Sequence, residues 1–144
     1  MQIRISVALA ALRNLMPRLI RCVPAALPGF YVPVAGTASA GQTYLLKGIN
    51  LKNGITVTTV SGFVISSNGS TWASSLSLAK NFNALIYVRM TGAADGSYGG
   101  NISHVSGGAK TKNVAVSGQV GSVPVMYNDT DVIYFNDTDF LIFQ

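Results

Sequence analysis

The central part of the chain is a series of short segments in which apolar and polar residues alternate, and this pattern limits the possible folds more than any other feature. The segments are rich in Val, Ile, Thr, Tyr and Ser, and turn-forming dipeptides such as Asn53-Gly54 and Asn68-Gly69 separate them. Short alternating segments that recur at intervals of about 8–12 residues are typical of an all-β sandwich. The sequence therefore predicts strands at residues 42–47, 55–60, 63–66, 74–78, 84–90, 96–105 and 112–118.

A set of short motifs runs through the same region in a fixed order. They are GTAS at 36–39, KGINL at 47–51, ITVT at 55–58, GFVIS at 62–66, STW at 70–72, IYVR at 86–89, GSYGGNI at 96–102 and KNVAVSG at 112–118. In order and spacing they resemble the immunoglobulin-like β-sandwich repeats found in large secreted and surface proteins of some Gram-negative bacteria. The resemblance covers residues 29–120 and implies a non-catalytic module used for spacing, adhesion or display.

The first 28 residues have a different pattern and allow two main interpretations. At 100° per residue, Ile5, Leu9, Leu12, Met16 and Leu19 fall on one face of a helix, with Arg18 and Arg21 opposite and Arg13 at the border. This pattern predicts an amphipathic helical arm at residues 1–28 that docks on a partner subunit. A cleaved export segment, a helix on a membrane surface and a helix packed on its own domain remain alternatives.

Residues 121–144 contain an internal repeat with a period of eight. Each copy has Asn-Asp-Thr-Asp followed by an apolar run, at 132–135 and 140–143. The pattern predicts a C-terminal strand extension that joins its own sandwich or pairs with a neighbouring copy, with interface candidates Val132, Ile133, Phe140 and Ile142. The four aspartates of the repeat fit no known calcium-binding spacing, and turn formation is the favoured interpretation.

Charge is distributed unevenly from one end of the chain to the other. Residues 1–94 contain eight Lys or Arg residues and no acidic residue, whereas Asp95 and the residues after it contain five Asp and two Lys. This polarity is equally compatible with head-to-tail contacts between copies. Nucleic acid is not an expected partner, because no known nucleic-acid motif accompanies the basic residues. Charged residues make up only 10% of the chain, which suits a packed assembly or an extracellular module.

The sequence carries no recognisable catalytic or metal-binding motif. Cys22 and His104 are the single residues of their kinds, and the resemblance implies that Trp72 and Tyr98 have packing positions rather than positions on a sugar-binding face. No enzymatic activity and no cofactor is expected. The prediction is a non-enzymatic structural subunit of a surface assembly, foremost a virion capsid or decoration protein. A secreted bacterial adhesion or carbohydrate-binding module is the alternative.

On either interpretation, we expect the protein to be located in a virion, on a cell surface or outside the cell. The expected partners are other copies of the chain or other subunits of the assembly, with membrane contact through the N-terminal helix as a further option.

Overall fold

The alternating segments form strands in the computed structural model, which describes residues 16–121. All seven predicted strands are present, with ends within two residues of those expected. The strands of the described region are β1 Leu19–Val23, β2 Phe30–Val32, β3 Gln42–Ile49, β4 Ile55–Thr58, β5 Phe63–Ser66, β6 Ser75–Leu78, β7 Asn83–Met90, β8 Gly96–Val105 and β9 Lys112–Val120.

These strands form two sheets whose order identifies the fold. One sheet has four strands in the order β1-β3-β7-β5, and the other has five in the order β2-β9-β8-β4-β6. The seven strands other than β2 and β6 can be labelled A to G in chain order. The four-stranded sheet then has the order ABED, and the five-stranded sheet contains the order GFC. These two orders define the immunoglobulin-like sandwich. The predicted fold class is therefore confirmed for the sandwich. Strand β6 extends the second sheet beyond β4, and the short β2 pairs with β9 in parallel.

The core lies between the two sheets and follows from the alternation of each strand. In β7, the side chains of Ile86, Val88 and Met90 are fully buried, and in β4 Ile55 and Val57 are buried in the same way. Alternate residues of a strand point to opposite faces, so one apolar set per strand is enough to fill the space between the sheets. Within residues 16–121 the structure contains no helix that is long and apolar enough to cross a membrane.

The helical arm predicted for residues 1–28 is wrong where the structure describes it. Residues Leu19–Val23 form strand β1, which pairs antiparallel with β3 from Leu19↔Ile49 to Val23↔Leu45. Ile20 is fully buried and the neighbouring Leu19 is 40% exposed, which is the alternation of a strand. The physical reason is the free edge of β3, because pairing there satisfies its backbone groups and buries Ile20 in the core.

After β1 the chain crosses from the four-stranded sheet to the five-stranded sheet. The amide of Leu27 donates to the carbonyl of Ala115 at 3.0 Å, and the amide of Ala115 donates to the carbonyl of Ala25 at 2.9 Å. Residues 23–28 are therefore held against β9 before β2 begins. Residues 1–15 and 122–144 lie outside the described residues, and with them the interface candidates Ile5, Leu9, Leu12, Arg13, Val132, Ile133, Phe140 and Ile142.

Candidate interaction surface

The outer face of the four-stranded sheet carries a row of apolar side chains across three strands. Val23 of β1 lies opposite Leu45 of β3, and Leu45 lies opposite Leu85 of β7. Their exposed fractions are 46%, 38% and 43%. Directly opposite residues on neighbouring strands have Cβ atoms about 4.5–5.5 Å apart, so the three side chains form one continuous surface. We refer to Val23, Leu45 and Leu85 as the apolar row.

The row faces outward because its members alternate with residues that are directed into the core. Leu45 lies between Tyr44 and Leu46, which are both buried, and Leu85 precedes the buried Ile86. Adjacent apolar residues in an otherwise alternating strand place one side chain on each face of the sheet. Two consecutive apolar residues, such as Leu45-Leu46 or Leu85-Ile86, are therefore the sequence signal that could have predicted this exposed surface.

Two cations lie beside the apolar row. Two residues along the strands, on the same face, Arg21 lies opposite Lys47, and Lys47 lies opposite Asn83. Both cationic residues are exposed. Among residues 16–121 Asp95 is the only acidic residue, and its carboxyl group lies next to Gly121 at the end of β9. The sheet face therefore combines apolar contact area with positive charge.

The charge of the described region and that of the C-terminal residues are opposite. Only Arg4 and Arg13 of the ten Lys and Arg residues lie outside residues 16–121, whereas four of the five acidic residues lie in residues 122–144. The described region therefore carries a formal net charge of +7, and residues 122–144, which contain no Lys or Arg, carry −4.

The loop between β5 and β6 covers the far end of the same sheet face. The carbon atom of the Arg89 guanidinium lies 4.1 Å from the centre of the Trp72 ring, a distance typical of cation–π contacts. The side-chain oxygen of Asn68 accepts hydrogen bonds from the backbone amides of Ser70 and Thr71, at 2.9 and 2.8 Å. The loop is thus ordered by its own hydrogen bonds, and one face of the Trp72 ring is occupied by Arg89.

Tyr98 also has a packing role. Its hydroxyl donates to the carbonyl of Ala94 at 2.9 Å, and its ring lies against Gly62 and Gly92. A Cβ on Gly62 would collide with the ring, so only glycine allows this close approach. The structure therefore places both Trp72 and Tyr98 in packing contacts, as the family resemblance implies.

The structure brings some of the predicted interface residues to this surface and not others. Leu19 and Arg21 lie on the outer face of β1, the strand that contributes Val23 to the apolar row, although in a strand rather than in a helix. Met16 lies before β1, where its carbonyl accepts a hydrogen bond from the Asn50 side chain at 2.6 Å. Arg18 lies against Gly108 in the turn between β8 and β9. Sequence reasoning missed Leu45 and Leu85 as surface residues.

A buried polar pair connects the two sheets inside the sandwich. The hydroxyl of Tyr44 on β3 lies 2.6 Å from Nε2 of His104 on β8, and their rings meet edge to face. His104 Nδ1 lies 3.0 Å from the carbonyl oxygen of Lys112. Since a carbonyl oxygen only accepts, Nδ1 carries the proton, and Nε2 of the neutral ring accepts from the Tyr44 hydroxyl. Both nitrogen atoms of the His104 imidazole therefore have a hydrogen-bond partner.

The titratable groups near this pair are held in their neutral forms. Burial lowers the pKa of His104 below 6.5 and raises the pKa of Tyr44 above its ordinary value. Burial also raises the pKa of the Cys22 thiol to about 11. A thiol with such a pKa is a poor nucleophile at neutral pH. Within residues 16–121 no group of three or more His, Cys, Asp or Glu side chains is placed to hold a metal ion.

No protein-family model matches the sequence, and no curated protein matches it significantly. Among solved structures, the ASH/PapD-like domain 7 of human CEP192 aligns with a TM-score of 0.45 at 11% identity, covering 72% of this chain and 86% of that chain. A protein of unknown function from Porphyromonas gingivalis W83 aligns with a TM-score of 0.44 at 10% identity, covering 75% of this chain and 50% of that chain. The assignment of the fold rests on the strand order of the two sheets.

Proposed function

We propose that this protein is a non-enzymatic structural subunit of a surface assembly, foremost a virion capsid or decoration protein, whose copies contact one another. The observation that carries the proposal is the outer face of the four-stranded sheet, where Val23, Leu45 and Leu85 are exposed side by side. Contiguous exposed apolar residues bordered by polar ones are typical of protein–protein contact sites. The immunoglobulin-like sandwich supplies a rigid support for that face.

The uneven charge of the chain supports contact between copies rather than contact with another class of molecule. A region of +7 and a segment of −4 in the same polypeptide attract each other when two copies meet. A contact between two different surfaces of identical subunits is heterologous, and it builds rings or filaments. Such a contact suits a subunit that is repeated many times in a shell or a fibre.

Sedimentation velocity of the full chain tests this function directly. We expect concentration-dependent oligomers at low salt, because both the apolar row and the opposite charges favour association. Raising the salt concentration should weaken the oligomers by screening the exposed charges, while the apolar contribution persists. A chain that sediments as a monomer over the whole accessible concentration range would overturn the proposal.

The alternative function, a secreted adhesion or carbohydrate-binding module, predicts the opposite result in the same experiment. Such a module works as a monomer and should bind a glycan or a host surface. The position of Arg89 over one face of the Trp72 ring leaves that face closed to a sugar. A monomer that binds immobilised glycans, with binding lost in Trp72→Ala, would favour the alternative.

A further inference from the structure

We propose that the apolar row and the two cations beside it receive the C-terminal segment, residues 129–143, of a second copy of the chain. This proposal rests on the proposed self-assembly and specifies which two parts of the chain make the contact. The receiving surface consists of Val23, Leu45 and Leu85 together with Arg21 and Lys47.

The length of an apolar run in the C-terminal segment matches the width of the apolar row. The row crosses three strands, which lie about 4.8 Å apart, so its outer members are separated by about 10 Å. An extended run of four residues is about 13 Å long at about 3.3 Å per residue. The runs at 132–135 and 140–143 each have four apolar or aromatic residues, so either run is long enough to cover the whole row.

The charges of the C-terminal segment and of the receiving surface are complementary as well. Each apolar run follows directly on Asn-Asp-Thr-Asp, so two carboxylates lie within four residues of its start. On the receiving face, Arg21 and Lys47 lie two residues along their strands from Val23 and Leu45, about 7 Å away. A run placed on the row therefore brings Asp131 or Asp139 within reach of these cations. The described region offers them no comparable carboxylate, because its single acidic residue, Asp95, lies beside Gly121.

The path of the chain favours a second copy as the donor. The described part ends at Gly121, whose amide donates to the carbonyl of Val32 at 2.8 Å in the five-stranded sheet. The receiving face is on the outside of the other sheet. The described residues that precede the acidic segment therefore end on one layer, whereas the receiving surface lies on the opposite layer, and a head-to-tail contact joins two different surfaces in this way.

Mixing two variants of the full chain tests the inference. The row variant, Leu45→Lys with Leu85→Lys, keeps an intact C-terminal segment, and the segment variant, Phe140→Asp with Ile142→Asp, keeps an intact row. We expect each variant alone to assemble at least about tenfold more weakly than the unchanged chain. An equimolar mixture should form a heterodimer, since the segment of the row variant can bind the row of the segment variant.

Controls separate the inference from the proposed function and from loss of folding. Thr56→Lys, an exposed change on the five-stranded sheet, should assemble like the unchanged chain, and circular dichroism should report the same β-structure in every variant. If the unchanged chain assembles and the row variant assembles equally well, this inference is wrong while the proposed function stands. If the unchanged chain assembles and the two variants stay monomeric when mixed, the row and the segment do not bind each other across copies, which also overturns the inference.

A charge-reversal pair gives a second, independent readout that leaves the apolar row intact. Arg21→Glu with Lys47→Glu should weaken assembly, and Asp131→Lys with Asp139→Lys should weaken it in the same way. Mixing these two variants should restore a contact between them, because the reversed charges are again opposite. If the reversed charges have no effect on assembly, the cations are not part of the contact.

Discussion

The hydrogen bond between Tyr44 and His104 offers the sharpest test of the sandwich, because it joins the two sheets at a buried point. Tyr44 is 1% exposed and His104 is fully buried. Changing Tyr44→Phe removes the hydroxyl that lies 2.6 Å from Nε2 and keeps the ring that packs against the imidazole. The change therefore leaves one buried acceptor without a donor and alters little else.

The size of the effect follows from the cost of an unsatisfied buried group. Leaving such a group without its partner costs about 1–3 kcal/mol of folding free energy. For a folded unit of about 100 residues, 1 kcal/mol corresponds to about 4–5 °C in Tm, so Tyr44→Phe should lower Tm by about 4–15 °C. The exposed Tyr31 of β2 is a matched control, and Tyr31→Phe should change the stability by less than about 0.5 kcal/mol.

Thermal and urea denaturation above pH 6.5, where His104 is neutral, measure the effect. A double-mutant cycle with His104→Leu then isolates the pair. The double variant should be less destabilised than the sum of the two single variants, because it leaves neither side chain with an unmatched polar atom. If Tyr44→Phe is as mild as Tyr31→Phe, or if the cycle is strictly additive, the hydrogen bond does not contribute as argued.

Three further predictions concern pH, strand β1 and a glycine contact. Burial holds the pKa of His104 below 6.5, so the unfolded chain takes up a proton at a higher pH than the folded protein does. Tm should therefore fall as the pH drops from 6.5 through the pKa of the folded protein, and a flat Tm profile in this range would contradict the burial argument. Ile20→Ala should cost about 2–5 kcal/mol of unfolding free energy because Ile20 lies in the core, whereas Leu19→Ala should cost much less; equal losses in urea denaturation would argue against the strand. Gly62→Ala should destabilise by more than about 1 kcal/mol, since Gly62 has φ of 84° and a Cβ would meet the Tyr98 ring; calorimetry checks this, and Gly29→Ala, with nothing near its Cβ, is the control.

Much of the sandwich could be predicted from the sequence because its signals are local. Alternation over four to ten residues identifies a strand that buries one face, and pairs such as Asn53-Gly54 mark the turns between strands. The interior positions of β7, with Ile86, Val88 and Met90 on one side, follow from this alternation alone. These features depend on residues that are close together in the chain.

The error over residues 16–28 has a physical explanation. Five residues such as Leu19–Val23 are too few for the period of a helix to be distinguished from that of a strand. What determines the conformation is the free edge of β3, whose residues are about 25 positions further along the chain. The strand β2 was also missed, since its three residues pair with β9, which is still more distant in sequence.

By itself, the sequence determined that the central region forms strands at particular places and that the charge differs between the two ends of the chain. Only the tertiary structure decided that Val23, Leu45 and Leu85 form one surface, because the register of three strands brings together residues that the sequence separates. The same holds for the pair of Tyr44 and His104, which come from different sheets. Local patterns specify which face of a strand is buried, whereas contacts across strands and sheets depend on how the whole chain packs.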